Sequence, residues 1–173
     1  MRRPTIGTIL AIAPCGILLG ACDLKPVASF GASNVLSPSG YSEAKLSDTQ
    51  YQVKAVGTEA TPRDRIEKIA RARAAQIGME QKLNYYKVAN VQFGVVCAKK
   101  HEFYKGGTTQ PSSRQTVQLD VVYAKERVDP TYVSASDSFA TLSGELGNEI
   151  VAPDAKSAAE QETRTACGVG SAT

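Results

Sequence analysis

Apolar and polar side chains alternate most cleanly over 116–125, where Val117, Leu119, Val121 and Tyr123 fall on one side and Gln118, Asp120 and Ala124 on the other. A period of two marks a strand with one face buried. The same alternation runs through Tyr51, Gln52, Val53, Lys54 and Ala55 and stops at Gly57, and a further strand is expected over 85–97, with Gly94 placed for a bulge. Between these strands the period changes to that of a helix. Thr61 is placed as N-cap, Pro62 at the first helical position and Asp64 to close a capping box, and the helix is expected to reach about Lys82. Asp64 with Lys68 and Glu67 with Arg71 set acid before base four residues apart, the favourable order on a solvated helix face. A short second helix is expected where Phe139, Leu142 and Leu146 recur before Gly147.

These elements predict an α+β fold: a small two-layer domain over 40–150, with a three-stranded sheet and both the long helix and the short C-terminal helix on one face. The stretch 98–113 reads as a polar loop. From 151 to 173 Ala, Ser, Thr and Glu dominate, which predicts a disordered tail tied down only if Cys167 is bonded.

The first residues follow another pattern. Met1-Arg2-Arg3 is positive, 5–19 is uncharged and mostly apolar, and small residues close the run. The run is short for a bilayer span, and Gly7, Pro14 and Gly16 weaken it as a helix, so 1–21 reads as a secretory signal peptide. Leu19-Gly20-Ala21-Cys22 resembles the lipobox of bacterial lipoproteins, which implies cleavage between Ala21 and Cys22 and a diacylglyceryl thioether on the Cys22 sulfur. Cys15 competes poorly, because Pro14 precedes it and its apolar run is short. Residues 22–39, rich in Ser, Ala and Pro, then read as a lipidated tether some 20–25 Å long on average, about 5–6 Å × √17, unless its apolar residues Val27, Phe30, Val35 and Leu36 pack on the domain. The expected location is the cell envelope, lipid-anchored and facing the periplasm; Asp23 resembles an inner-membrane retention signal, with inner and outer membrane both left open.

Composition refines this picture at two points. The chain of 173 residues has a formal net charge of +3, but two of its twenty basic residues leave with the signal, so the mature chain is near neutral and gives no sign of a nucleic-acid partner. Four cysteines become two once Cys15 is removed and Cys22 is acylated. Cys97 and Cys167 then either form one disulfide, as an oxidising compartment favours, or remain a buried strand residue and a free thiol.

The stretch GYSEAKLSDTQYQVKAVGTEATPRDRIEKIARARAAQIGMEQKLNYYKV resembles a family of uncharacterised proteobacterial lipoproteins of Caulobacter type. The matching residues are Gly40, Tyr41, Ser42, Glu43, Leu46, Tyr51, Val53, Gly57, Thr61, Arg73, Ala74, Ala75, Glu80 and Tyr85. Thr58, Gln76, Lys82 and Asn84 depart from the pattern. The resemblance implies location and fold and brings no activity with it.

Arg73 lies within the stripe of Ile66, Ile69, Ala70 and Ile77, where a guanidinium must be paired or reach water along its stem. It is a candidate for an ion pair with Glu43 or Asp48, or for a partner site. His101 stands beside Glu102 among Lys99, Lys100, Lys105 and Arg114; this basic loop is either solvated or in contact with anionic headgroups. No ligand spacing for a metal, no cofactor motif and no nucleophile–base arrangement is visible, and Gly106-Gly107 lacks the context of a phosphate loop. The basic helix residues Arg63, Arg65, Lys68, Arg71 and Arg73 would suggest nucleic acid only in a cytoplasmic protein. The expected function is a membrane-anchored, non-enzymatic binding or assembly module with an envelope protein partner; the alternative is an envelope hydrolase acting on cell-wall material.

Overall fold

The computed structural model describes residues 26–35, 37–97, 102–103, 107–108 and 113–168. At its centre the alternation of 116–125 becomes strand β6 (Arg114–Ala124), whose odd-numbered residues Gln115, Val117, Leu119, Val121 and Tyr123 are all buried. β6 is flanked by β2 (Gln50–Val56) and β3 (Tyr85–Val96), each antiparallel to it. β2 and β3 therefore run parallel with β6 between them, joined by helix α1 (Arg63–Glu80) in a split β-α-β crossover.

The expected three-stranded sheet is the middle of a five-stranded one. Strand β1 (Gly40–Lys45) pairs with β2, and β7 (Val133–Ser134) pairs with Tyr85 and Tyr86, giving the order β1-β2-β6-β3-β7. Both additions are edges, and neither carries a period of two. In β1 only Gly40 is buried and Ser42 to Lys45 are exposed, while β7 has two residues. A separate short hairpin joins β4 (Glu102–Phe103) to β5 (Gly107–Thr108) inside the segment read as a loop. The bulge in β3 falls between Val88 and Asn90 rather than at Gly94.

Helix α1 is buried around most of its girth, including Ile66, Ile69, Ala70, Ala72, Ala74, Ala75 and Ile77. The sheet covers one side through β2 and β6, and α2 (Ala135–Asn148) covers another. The small helix residues have their reason here: α2 packs chiefly on α1 rather than on the sheet, so α1 needs a surface that two layers can approach. Tyr123 fixes the inner contact, its hydroxyl donating to the Ala74 carbonyl oxygen at 2.8 Å. The expected capping box does not form. Pro62 is the N-cap without a side-chain bond, because the Thr61 hydroxyl accepts from the Thr58 and Ala28 amides, each at 2.9 Å.

That last bond belongs to the segment read as a tether. The tether expected over 22–39 is docked where it is described. The Pro26 carbonyl accepts from the Thr58 hydroxyl at 2.7 Å, Ala28 is 1% exposed, and Phe30 lies 5.0 Å from the Tyr41 ring and 6.1 Å from that of Phe139. Farther on, Tyr41 donates to the Gly31 carbonyl and Ser33 to that of Tyr41. Gly40 makes this approach possible: its φ is 126°, and a Cβ there would stand 2.3 Å from the Gly31 oxygen. This strap thus covers part of the β1 edge.

The tail expected to be disordered holds a third helix, α3 (Pro153–Ala166), with Pro at its start and Asp154 in the first turn. It buries only Ala159 and Thr163, too little apolar surface to register as a stripe. Polar and covalent ties replace it. Gln115 of β6 donates to Glu162 at 2.9 Å, Arg63 pairs with Glu162 at 2.6 Å, and Cys167 is joined to Cys97 in a disulfide with Cα atoms 5.5 Å apart. Among the described residues no helix is long and apolar enough to cross a membrane.

Candidate functional site

The structure brings Arg73 and Glu43 together. Arg73 donates from Nη2 to Glu43 Oε1 at 2.7 Å and from Nε to Oε2 at 3.2 Å, its Nη1 reaches Glu80 at 2.8 Å, and its guanidinium stands 5.2 Å from the Tyr41 ring centre. Burial opposes the charge, but the hydrogen bonds to Glu43 and Glu80 outweigh it and raise the Arg73 pKa. The other candidate partner, Asp48, instead accepts from Lys45 at 2.8 Å. With both ends of its fork engaged, Arg73 ties α1 to the edge strand β1.

A more deeply buried cation escaped the sequence pattern. The Arg65 side chain is 8% exposed and lies under the strap: Nε donates to the Ala28 carbonyl at 3.0 Å, Nη1 to Glu149 at 2.7 Å, and Nη2 to the Leu146 carbonyl at 3.4 Å. Its partners lie 37, 84 and 81 residues away along the chain, so no local spacing announces them. The rest of the basic helix face is paired too. Lys68 meets Glu149 at 3.2 Å and Glu145 at 3.5 Å rather than Asp64, and Arg71 meets Glu67 at 2.7 Å, the one expected i,i+4 pair that forms. These cations lock α1 to α2, α3 and β1.

A hollow lies towards the other end of α1. Pairing of β7 with Tyr85 and Tyr86 turns the chain directly into α2, whose N-cap Ser134 accepts from the Asp137 amide at 3.3 Å. The result is an open cleft of about 660 Å³ walled by Tyr85, Tyr86, Tyr132, Arg71, Arg127, Val133, Ser134, Asp137, Ser138, Thr141 and Leu142. A second hollow of about 250 Å³ adjoins it and adds Met79 and Asn84. Burial pushes the Tyr86 phenol up from its ordinary value, with a hydrogen bond to Ser138 acting the other way. Lys87 sits 5.0 Å from the Tyr132 ring centre, and Arg127 donates to the Pro130 carbonyl at 3.3 Å. Asp129 accepts from both the side chain and the amide of Thr131, which hold its carboxyl below the usual range.

Chemically this cleft offers aromatic rings, guanidinium groups and hydroxyls. Asp137 is the one carboxylate lining it, and its Oδ1 accepts from the Ser136 hydroxyl at 3.4 Å. Among the described residues no group of three His, Cys, Asp or Glu stands where it could hold a metal ion. Ala21, Cys22, Lys99, Lys100, His101, Lys105 and Gly106 lie outside the described residues, as does the signal segment 1–21. The cleft itself was not foreseen; the recurrence of Tyr85, Tyr86 and Tyr132 around the start of α2 was its sequence trace. The fold and cleft define a small α+β domain with an open aromatic and basic surface. No protein-family model, curated protein or solved structure matches this chain.

Proposed function

We propose that the chain is a bacterial envelope lipoprotein, cleaved behind Ala21 and acylated on Cys22, whose periplasmic domain is a non-enzymatic binding or assembly module for an envelope protein. The lipobox, the resemblance to lipoproteins of Caulobacter type and a disulfide suited to an oxidising compartment support the location. The observation that carries the role is the makeup of the open cleft. Tyr85, Tyr132, Arg71 and Arg127 surround it, and Met79 and Val133 beside it are 47% and 44% exposed. Aromatic, Met and Arg side chains are the types enriched at the centre of protein–protein interfaces.

A photoreactive amino acid placed at Val133 in cells is expected to trap one specific partner, whereas the same label at Gln118, on the opposite face of the sheet, traps none. Arg127→Ala or Tyr85→Ala is expected to reduce that adduct about tenfold, the effect of a modest hot spot. Equal adducts from both labels, or none from Val133, would remove the support for a binding module. Incorporation of labelled palmitate into the wild-type chain, lost in Cys22→Ser, tests the anchor separately.

A further inference from the structure

The sheet has two edges, and only one of them is guarded. β1 is short, carries Glu43 and Lys45, and meets the strap through a bridge between Tyr41 and Ala32. Short length, charge and a covering segment are the common defences against a further strand. At the other edge β7 pairs with Tyr85 and Tyr86 alone, while β3 runs on to Val96. Among the described residues nothing pairs with the outer side of β3 beyond Tyr86. The stretch 88–96 there, Val-Ala-Asn-Val-Gln-Phe-Gly-Val-Val, has no charge and no proline, and Phe93 and Val96 are 44% and 49% exposed. Past the bulge at Val88 and Asn90 its pairing with β6 is regular. An edge of this kind is a template for another strand.

The ladder fixes which backbone groups point outwards. Tyr123 donates its amide to the Thr49 carbonyl, and the Gln115 carbonyl accepts from the Gly57 amide, so the odd residues of β6 turn their backbone groups towards β2. The even ones turn towards β3, where their register partners are Asn90, Gln92, Gly94 and Val96. The amides and carbonyls of Val91, Phe93 and Val95 therefore point away from the sheet. Their side chains share a face with Leu119, Val117 and Gln115, which are buried, so a strand added here would also extend the core.

The chemistry of the edge selects its occupant. An uncharged strand meets its own copy antiparallel without setting like charge against like. With the two-fold axis at Gln92, Val91 of each copy faces Phe93 of the other, an aromatic and β-branched pair made twice. An axis at Phe93 would instead stack the two rings, each with an Arg63 guanidinium 5.6 Å from its centre, and bring two cations together. We propose that two copies of this chain join antiparallel through β3, centred on Gln92, so that their two five-stranded sheets become one. This contact lies beyond the Tyr85–Val133 cleft along β3 and does not depend on the reading of that cleft.

In this register the two Gln92 residues form a non-hydrogen-bonded pair with Cα atoms about 4.5 Å apart, within reach of a disulfide. Gln92→Cys in the full chain, mildly oxidised in cells, is expected to give at least about tenfold more covalent dimer than the parent chain or Gln118→Cys, its neighbour on β6 away from the edge. The purified chain is expected to show twice the single-chain mass. Phe93→Lys or Val91→Lys, each setting a lysine on both sides of the axis, should raise the dissociation constant at least about tenfold. Thermal unfolding shows whether these variants keep the fold; if neither does, the Gln92 disulfide alone decides. Its absence overturns the proposal whatever the mass, and so does a dimer that both folded lysine variants leave intact. A Gln92→Cys disulfide to a different protein assigns the edge to a foreign strand and overturns the second copy as its occupant.

Discussion

Arg65 bonds to the strap through the Ala28 carbonyl and to Glu149 and Leu146 at the far end of α2, from a position on α1 that leaves only 8% of its side chain exposed. Removing one partner of a buried pair leaves the other charged and desolvated, which costs more than the pair's net contribution. Arg65→Ala is therefore expected to destabilise the domain by about 3–5 kcal/mol in urea unfolding. Arg73→Ala breaks bonds to Glu43 and Glu80, both better solvated than Glu149, and is expected to cost about 1–2 kcal/mol. A larger loss for Arg73 than for Arg65 would refute this ranking. Hydrophobic periodicity singles out Arg73 because it assumes a helix with one buried stripe, and α1 is covered on more than one side.

The packing of α2 on α1 turns on Gly78, where a Cβ would lie 2.9 Å from both the Ala135 Cβ and the Leu83 carbonyl oxygen. Gly144 in α2 has nothing within 4 Å of its would-be Cβ. The same substitution should act in opposite directions. Gly78→Ala overpacks a backbone contact and is expected to cost about 1–3 kcal/mol, whereas Gly144→Ala should gain about 0.5–1 kcal/mol from helix propensity. Thermal unfolding of the two variants checks the sign. Element by element, the central strands, α1 and α2 were legible, since each carries a regular run of apolar positions. β1, β7 and α3 were not, and of the strap only its apolar residues, Phe30 among them, pointed to docking. Their order comes from Gly40 meeting Gly31, from Ala28 bonding to Thr61 and Arg65, and from Gln115 reaching Glu162, contacts between residues far apart in sequence. The candidate pair Arg73–Glu43 could be named from composition, but the cleft depends on where β7 lands.

At the scale of the whole molecule, the Cys97–Cys167 bond closes a stretch of 70 residues and holds α3 to the sheet. In the chain-entropy model such a closure contributes about 4 kcal/mol. Replacing both cysteines by serine is expected to lower stability by up to about that amount. Hydrogen exchange should quicken in α3 well before β6, because Val117, Leu119 and Val121 lie in a core to which the disulfide adds nothing. Uniform quickening across both elements would contradict this.

The order β1-β2-β6-β3-β7 also says something about assembly in time. β2 ends at Val56, and the strand that fills the gap beside it begins at Arg114, after α1 and β3 have already been made. Until that strand arrives, β2 and β3 face each other across an empty slot too wide for direct bonding. Pairing of β2 with β3 through β6 is thus a late, long-range event, and the sheet should close only once Arg114–Ala124 is available.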